Sequence, residues 1–171
     1  PTGCVILFGS YKRLANGQDA FALDTVFVVG ESRPFKKDNY AEDLNGFVPD
    51  DYFCIMRYAE NADNGEYVCY KGVAFDKNKP NEMFSFVPCR ERDEQIRNEV
   101  PFERLLITKA DGINELKKFS QRQGVCYASY DESKAKEVWQ KIRDLAIKKG
   151  YKLGIRFKYK KSNNLTSANT N

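Results

Sequence analysis

The chain contains no histidine, and that absence limits its chemistry more than any residue present. Without an imidazole there is no Ser-His-Asp or Cys-His nucleophile, no His-bearing zinc deaminase site and no H-E-x-x-H helix. Any reaction must use carboxylate, Lys, Tyr or Cys groups, with or without a magnesium-type ion. Cysteine is sparse too: Cys4, Cys54, Cys69, Cys89 and Cys126 are odd in number, form no C-x-x-C pair and lie mostly in apolar runs. Such spacing argues against a zinc site and a disulfide framework, and fits reduced, buried thiols in a cytoplasm. Long apolar runs are also missing, so neither a membrane span nor a secretory signal is expected. The chain opens on Pro1 rather than Met, which fits a numbering that begins inside a longer gene product. No cofactor motif stands out, and the spaced G-x-x-x-x-G-K-[ST] pattern of a P-loop is absent.

What is present describes an ordinary folded domain. The 171 residues suffice for a single core, expected over residues 1–161, with the Asn/Ser/Thr-rich residues 162–171 as a disordered tail. Twelve Phe and ten Tyr against one Trp suit β-rich packing, and equally a pocket that stacks a flat ligand. Two apolar runs, Val5 to Tyr11 and Phe21 to Gly30, read as strands joined by a turn through Asn16-Gly17. In an extended chain Phe21, Leu23, Thr25, Phe27 and Val29 share one face and Ala22, Asp24, Val26 and Val28 the other, so this strand is expected to be central. Asp24 is its one carboxylate. A buried charge needs a partner or a task, and the partner could be Lys12, Arg13 or another cation across the sheet.

Further along, Glu31 to Asp50 reads as a long loop, and Asp50 as the cap of a short helix, or the start of a strand, through Tyr58. Asn61 to Gly65 is an expected turn, and Tyr67 to Phe75 a strand with Gly72 at a bulge or a close backbone approach. A turn over Asp76 to Asn81 precedes a short strand, Met83 to Val87. Arg90 to Glu99 is a charged surface stretch, Leu105 to Ile107 a strand, Ile113 to Gln121 a short helix, and Val125 to Tyr130 strand or loop. The clearest helix runs from the cap Asp131 through Ala135, Val138, Trp139, Ile142, Leu145 and Ala146 to Gly150. Tyr151 to Tyr159 then alternates as a strand. The expected class is α+β: a mostly antiparallel, strongly curved sheet or small β-barrel, one long C-terminal helix followed by a strand, and one or two short helices.

Three constellations could carry function. Between Lys134 and Lys161 stand eleven Lys/Arg and two acids, Glu137 and Asp144, so the rest of the chain holds 17 basic against 22 acidic side chains. Within that region Lys152, Arg156 and Lys158, with Lys160 and Lys161, would line the exposed side of a strand, at a spacing that suits phosphates and also suits a protected sheet edge. The stretch Gly9-Ser10-Tyr11-Lys12-Arg13 reads as a loop facing Asp24: Ser10 and Lys12 can donate to an anion, and Tyr11 offers a stacking face. Phe84 and Phe86, alternating before Pro88-Cys89-Arg90, can sandwich a base or seal a core. Cys89 lacks the base that a catalytic thiol uses.

The apolar strand ending in Phe8-Gly9-Ser10, with Leu23-Asp24-Thr25-Val26-Phe27-Val28-Val29 after a loop, resembles PUA-like domains of the EVE and ASCH type. The resemblance implies a compact barrel with flanking helices that holds a nucleobase in an aromatic pocket. It covers about the first 30 residues, and Gly3-Cys4 stands where the family's Gly-Asp opening would be. The phrases LDTVFVV and FSFVPC also look like those of bacterial proteins of unassigned activity. The function expected is a nucleic-acid or nucleotide-binding module without catalysis, using Ser10, Tyr11, Lys12, Asp24, Phe84, Phe86, Arg90, Lys152, Arg156 and Lys158. The alternatives are a metal-dependent enzyme built on Asp24 and Lys12, and a protein-interaction domain using the 31–50 segment.

Overall fold

The computed structural model describes residues 2–49, 66–91, 102–113, 116 and 131–154. Outside them lie the expected Asp50–Tyr58 element, the Asn61–Gly65 turn, positions 92–99, and the 113–121 helix apart from Ile113 and Leu116. Val125–Tyr130 and the chain from Ile155 onward, with Arg156, Lys158 and the polar tail, lie outside as well.

Strands β1 (Val5–Arg13) and β2 (Asp19–Lys36) form an antiparallel hairpin. Its turn uses the expected Asn-Gly chemistry. Gly17 sits at φ 80°, its N–H donates to Leu14 O at 2.9 Å, and the Asn16 side chain accepts from the Gln18 N–H at 3.0 Å. β1 continues to Arg13, so Gly9–Arg13 is strand rather than loop. Among the described residues β1 pairs only with β2, and an edge position tolerates the polar Ser10, Lys12 and Arg13.

β2 is 18 residues long and departs from simple alternation. Phe8 pairs with Thr25 but Gly9 with Leu23, which leaves Asp24 as the extra residue of a β-bulge. The bulge reverses which side chains face inward. Phe21 and Leu23 point to the core before it, and Val26 and Val28 after it, so the expected grouping with Thr25 and Phe27 is corrected. A second irregularity falls between Val29 and Glu31, and from there β2 runs beside β3 (Glu66–Gly72) as far as Lys36. Residues 31–36 are therefore strand, not the start of a long loop. With one described partner on this stretch, β2 accommodates Pro34, which has no N–H to give, and Phe35 stacks on Tyr67 at 5.6 Å. A 3-10 turn (Lys37–Asn39) and the single-turn helix α1 (Tyr40–Asp43) follow. Arg33 holds them in place, donating to the carbonyls of Asp43 and Asn45 and lying 4.6 Å over the Phe47 ring.

Gly72 is a close approach, as expected: a Cβ there would come within 2.7 Å of Ser85 Oγ and 2.9 Å of the Phe27 ring. Ser85 needs that space, because its hydroxyl accepts from the Val28 N–H at 2.9 Å and donates to Val28 O at 3.2 Å. Residues 83–87 supply only an isolated bridge, Phe86 to Val26, and the strand expected there forms later, as β4 (Pro88–Glu91). β5 (Phe102–Thr108) pairs with β2 over Ala20–Leu23 and with β4, while β6 (Lys152–Leu153) pairs with β4. The result is a curved, open, antiparallel sheet in the order β1-β2-β5-β4-β6, with β3 on β2.

Helix α2 (Glu132–Lys148) covers one face of this sheet. Asp131 caps it by accepting from the Lys134 N–H at 2.8 Å. At the other end Gly150, at φ 79°, donates to Ile147 O and Tyr151 donates to Ala146 O, both at 2.9 Å, which closes a Schellman motif. The stripe Val138, Trp139, Ile142 and Ala146 is buried against Leu23, Val26, Leu105 and Ile107. Burial of each of the larger aliphatic side chains, Val138 and Ile142, is worth about 1.5–3 kcal/mol. The Trp139 indole N–H donates to Phe84 O at 2.9 Å, so the largest core side chain leaves no polar atom unpaired.

Candidate functional site

The structure gives four of the ten candidate residues, Asp24, Phe84, Phe86 and Arg90, structural work. Phe84 and Phe86 point the same way, as alternation requires, but into the core, 6% and 3% exposed. Their rings meet Trp139 edge-on at 5.3 and 6.4 Å, so no face of the pair is open to stack a base. Arg90 pairs with its β5 neighbour Glu103 (Nη2–Oε2 2.5 Å), donates to Lys149 O at 3.2 Å and lies 5.0 Å over the Tyr151 ring. It ties β4 and β5 to the carboxyl end of α2, where a cation is favoured. Cys89 is buried, with its thiol directed to Lys152 O at 3.8 Å. Burial pushes the Cys69 thiol above its ordinary range, which makes it a poor nucleophile.

Asp24 is not buried. The bulge turns its carboxylate outward, about half exposed, where Arg104 of β5 meets it through Nε and Nη2 at 2.5 Å each. The same guanidinium donates to Ala22 O at 3.0 Å, a carbonyl beside the bulge. The partner is thus a cation across the sheet, though not Lys12 or Arg13. Lys12 lies opposite Ala20, three residues along β1 from Gly9 and so about 10 Å from the bulge. Asp24 and Lys12 do not converge, and no cluster of metal-ligating side chains occurs among the described residues. The approach that Gly9 permits is made by the chain itself, since a Cβ there would overlap the Phe21 ring and sit 2.5 Å from Ala22 O.

The cations of α2 are largely engaged. Glu137 takes Lys134 and Lys141, at 3.0 and 2.6 Å, and those two ammonium groups hold its carboxyl below the usual range. Arg143 pairs with Asp144 at 2.9 Å and lies over Trp139. Lys152 is exposed on β6, at the end of the strand order opposite β1.

Tyr11 borders a cavity. A hollow of about 270 Å³ opens where the β1–β2 hairpin meets the end of β5. Its floor is apolar, made by Phe21, Ile107, Ile113 and Leu116, and its rim is polar, made by Tyr11, Asp19, Thr108 and Lys109. A small ligand pocket has this composition, with an apolar body and a few placed polar groups. On one side Asp19 Oδ1 accepts from both the Tyr11 hydroxyl and Arg13 Nη1. On the other, Thr108 caps the 3-10 turn Lys109–Asp111 and Asp111 bonds back to the Thr108 N–H at 2.7 Å. Asp111 also receives Lys149 at 2.8 Å, and Lys149 reaches Leu106 O at 2.9 Å. Burial opposes ionisation of Asp111, but the Lys149 ammonium and the two Thr108 donors outweigh it and hold the carboxyl below its ordinary value.

Ser10 and Lys12 lie on either side of Tyr11 along β1 and do not line the hollow. Asp19, Thr108 and Lys109 were not among the sequence candidates. Two signals point to them: an Asn-Gly hairpin register that sets Asp19 opposite Arg13, and the Thr108-x-x-Asp111 capping pattern. No protein-family profile, curated protein or solved structure matches the chain.

Proposed function

We propose that the protein is a nucleotide or nucleic-acid-binding module that takes a base into the hollow beside Tyr11. The observation that carries the reading is the hollow itself, where an apolar floor meets an aromatic wall and a rim of hydrogen-bonding groups. The resemblance of the first two strands to PUA-like domains favours it, since such domains hold a base in a pocket of a small barrel. Phe84, Phe86, Arg90 and Asp24 leave the proposed site. Tyr11 stays, joined by Asp19, Thr108 and Lys109. Ser10 and Lys12, exposed on β1, flank the base site, and Lys152 with Arg156 and Lys158 supplies phosphate contacts for a longer strand.

Fluorescence-polarisation titrations with labelled single- and double-stranded oligonucleotides at two salt concentrations, and calorimetry with mononucleotides, test this. Tyr11→Ala should weaken binding by about fivefold to a hundredfold, the worth of one base–aromatic contact. The triple change of Lys152, Arg156 and Lys158 to Gln should lower oligonucleotide affinity, flatten its salt dependence and leave mononucleotide binding alone. No retention of any nucleotide or oligonucleotide at low salt would overturn the reading.

A further inference from the structure

Among the described residues, β1 leaves one edge of the sheet without a partner. At its two ends the Cys4 carbonyl accepts from the Val29 N–H and the Leu14 N–H donates to Gln18 O, both at 2.8 Å. Even-numbered positions of this stretch therefore turn their backbone groups toward β2. By the alternation of an antiparallel ladder, Val5, Leu7, Gly9, Tyr11 and Arg13 turn theirs outward. Residues Phe8 to Arg13 are all exposed. Sheet edges are commonly guarded by charge, proline or a bulge, and β1 has such a guard only at its end, in Lys12 and Arg13. The bulge at Asp24 places its extra residue in β2, so β1 itself stays regular. Its middle carries Phe8, 52% exposed although the Phe27 ring meets it edge-on at 6.4 Å, and Gly9, which has no side chain to screen its backbone.

We infer that β1 pairs with β1 of a second copy of this chain, antiparallel about a two-fold axis at Gly9, so that one sheet runs through both subunits. The strand's own sequence favours this partner and this register. With Gly9 against Gly9, all nine residues from Val5 to Arg13 are paired, whereas an axis at Phe8 or Ser10 leaves two residues of each strand unpaired. Lys12 then lies opposite Ile6 and Arg13 opposite Val5, whose aliphatic side chains can take the long stems. The two Lys12 positions stand about 20 Å apart along the strands, well beyond the screening length in physiological salt. Arg13 already has its counter-charge in Asp19 of its own chain, at 3.0 Å. Phe8 faces Ser10 of the second copy, and the two Phe8 rings become diagonal neighbours about 7–8 Å apart, each covering part of the other. Val5 and Leu7 pack on the core, which puts the odd-numbered side chains of β1 on the α2 side. Tyr11 faces Leu7 of the second copy there, so both hollows open on the same side of the dimer.

Sedimentation equilibrium on the full chain, with amide exchange followed by NMR at low and high protein concentration, tests the inference. The mass should rise with concentration from 19.7 kDa toward twice that value. Over the same range the Leu7, Gly9 and Tyr11 amides should slow in exchange, while those of Ile6, Ser10 and Lys12, which point to β2, change least. Phe8→Lys combined with Ser10→Lys sets two ammonium groups against each other at each of two places in the seam. That variant should stay at the monomer mass, with Trp139 emission reporting that it folds. Phe8→Lys combined with Ser10→Glu sets opposite charges there instead and should bring the dimer back. A monomer mass for the wild-type chain at every concentration overturns the inference. A dimer whose Leu7, Gly9 and Tyr11 amides exchange as fast as in the monomer overturns it too, since its interface then lies elsewhere.

Discussion

The guanidinium of Arg104 lies bidentate on the carboxylate of Asp24, and through its third contact, to Ala22 O, it spans the bulge that switches which side chains of β2 face inward. The pair joins residues 80 positions apart at the point where the β2–β5 ladder ends. Its role is to hold a backbone irregularity, and both side chains remain partly in water.

Arg104→Met should therefore destabilise the fold only modestly, by about 0.5–1.5 kcal/mol in urea titrations, because an exposed pair is screened. Asp24→Asn should cost less still and leave ligand affinity unaltered. Loss of binding in a fully stable Asp24→Asn variant would return Asp24 to the functional residues.

Ser85→Ala should cost more than its half-buried hydroxyl suggests, about 1–3 kcal/mol, since the Val28 N–H loses its partner, while the Val28 carbonyl keeps the Val73 N–H at 2.8 Å. Gly72→Ala should be comparably harmful by crowding the same hydroxyl and the Phe27 ring. A Gly72→Ala, Ser85→Ala double variant should be less damaging than the sum, which a double-mutant cycle would read as coupling.

Acid should loosen the link between the hollow and α2. The Asp111 carboxyl is more acidic folded than unfolded, so its stabilisation is complete at neutral pH and declines as pH falls below about 4. The stability gap between wild type and Asp111→Asn, about 1–3 kcal/mol at pH 7, should narrow steadily toward pH 3 in denaturant melts. A gap that is constant over that range contradicts the contact.

Trp139 is the single tryptophan and is 1% exposed, so its fluorescence reports the core alone. Emission should be blue-shifted in the native state and shift to the red in one step on unfolding. Trp139→Phe should remove about 2–4 kcal/mol, combining a smaller ring with the orphaned Phe84 carbonyl.

How much of this was legible in the sequence follows from how local each signal was. The Asn16-Gly17 turn, the Asp131 cap, the α2 stripe and the Gly150 stop each depend on neighbours within a few residues, and each stands where its pattern puts it. The bulge at Asp24 was hidden, because an extra residue in β2 is invisible until β1 and Arg104 are beside it. The strand at 31–36 was hidden for a related reason: its side chains are polar, and its definition comes from backbone pairing with β3 and from Phe35 against Tyr67. Phe84 and Phe86 share a face as their spacing requires, but spacing alone does not say that α2 covers that face. The hollow was least legible of all. Its walls come from β1, β2, β5 and the turn after it, and only strand register brings Asp19, Thr108 and Lys109 together.

The length of β2 bears on how this chain can be divided. Its first third sits between β1 and β5, its middle touches residue 86, and its last third carries β3, so one continuous backbone joins three of the other five strands directly. A cut in the Leu14–Gln18 turn would leave two fragments able to reassociate through the β1–β2 ladder. A cut between Leu23 and Val28 would sever the rail on which β1, β3 and β5 are mounted, and neither piece would keep a core of its own.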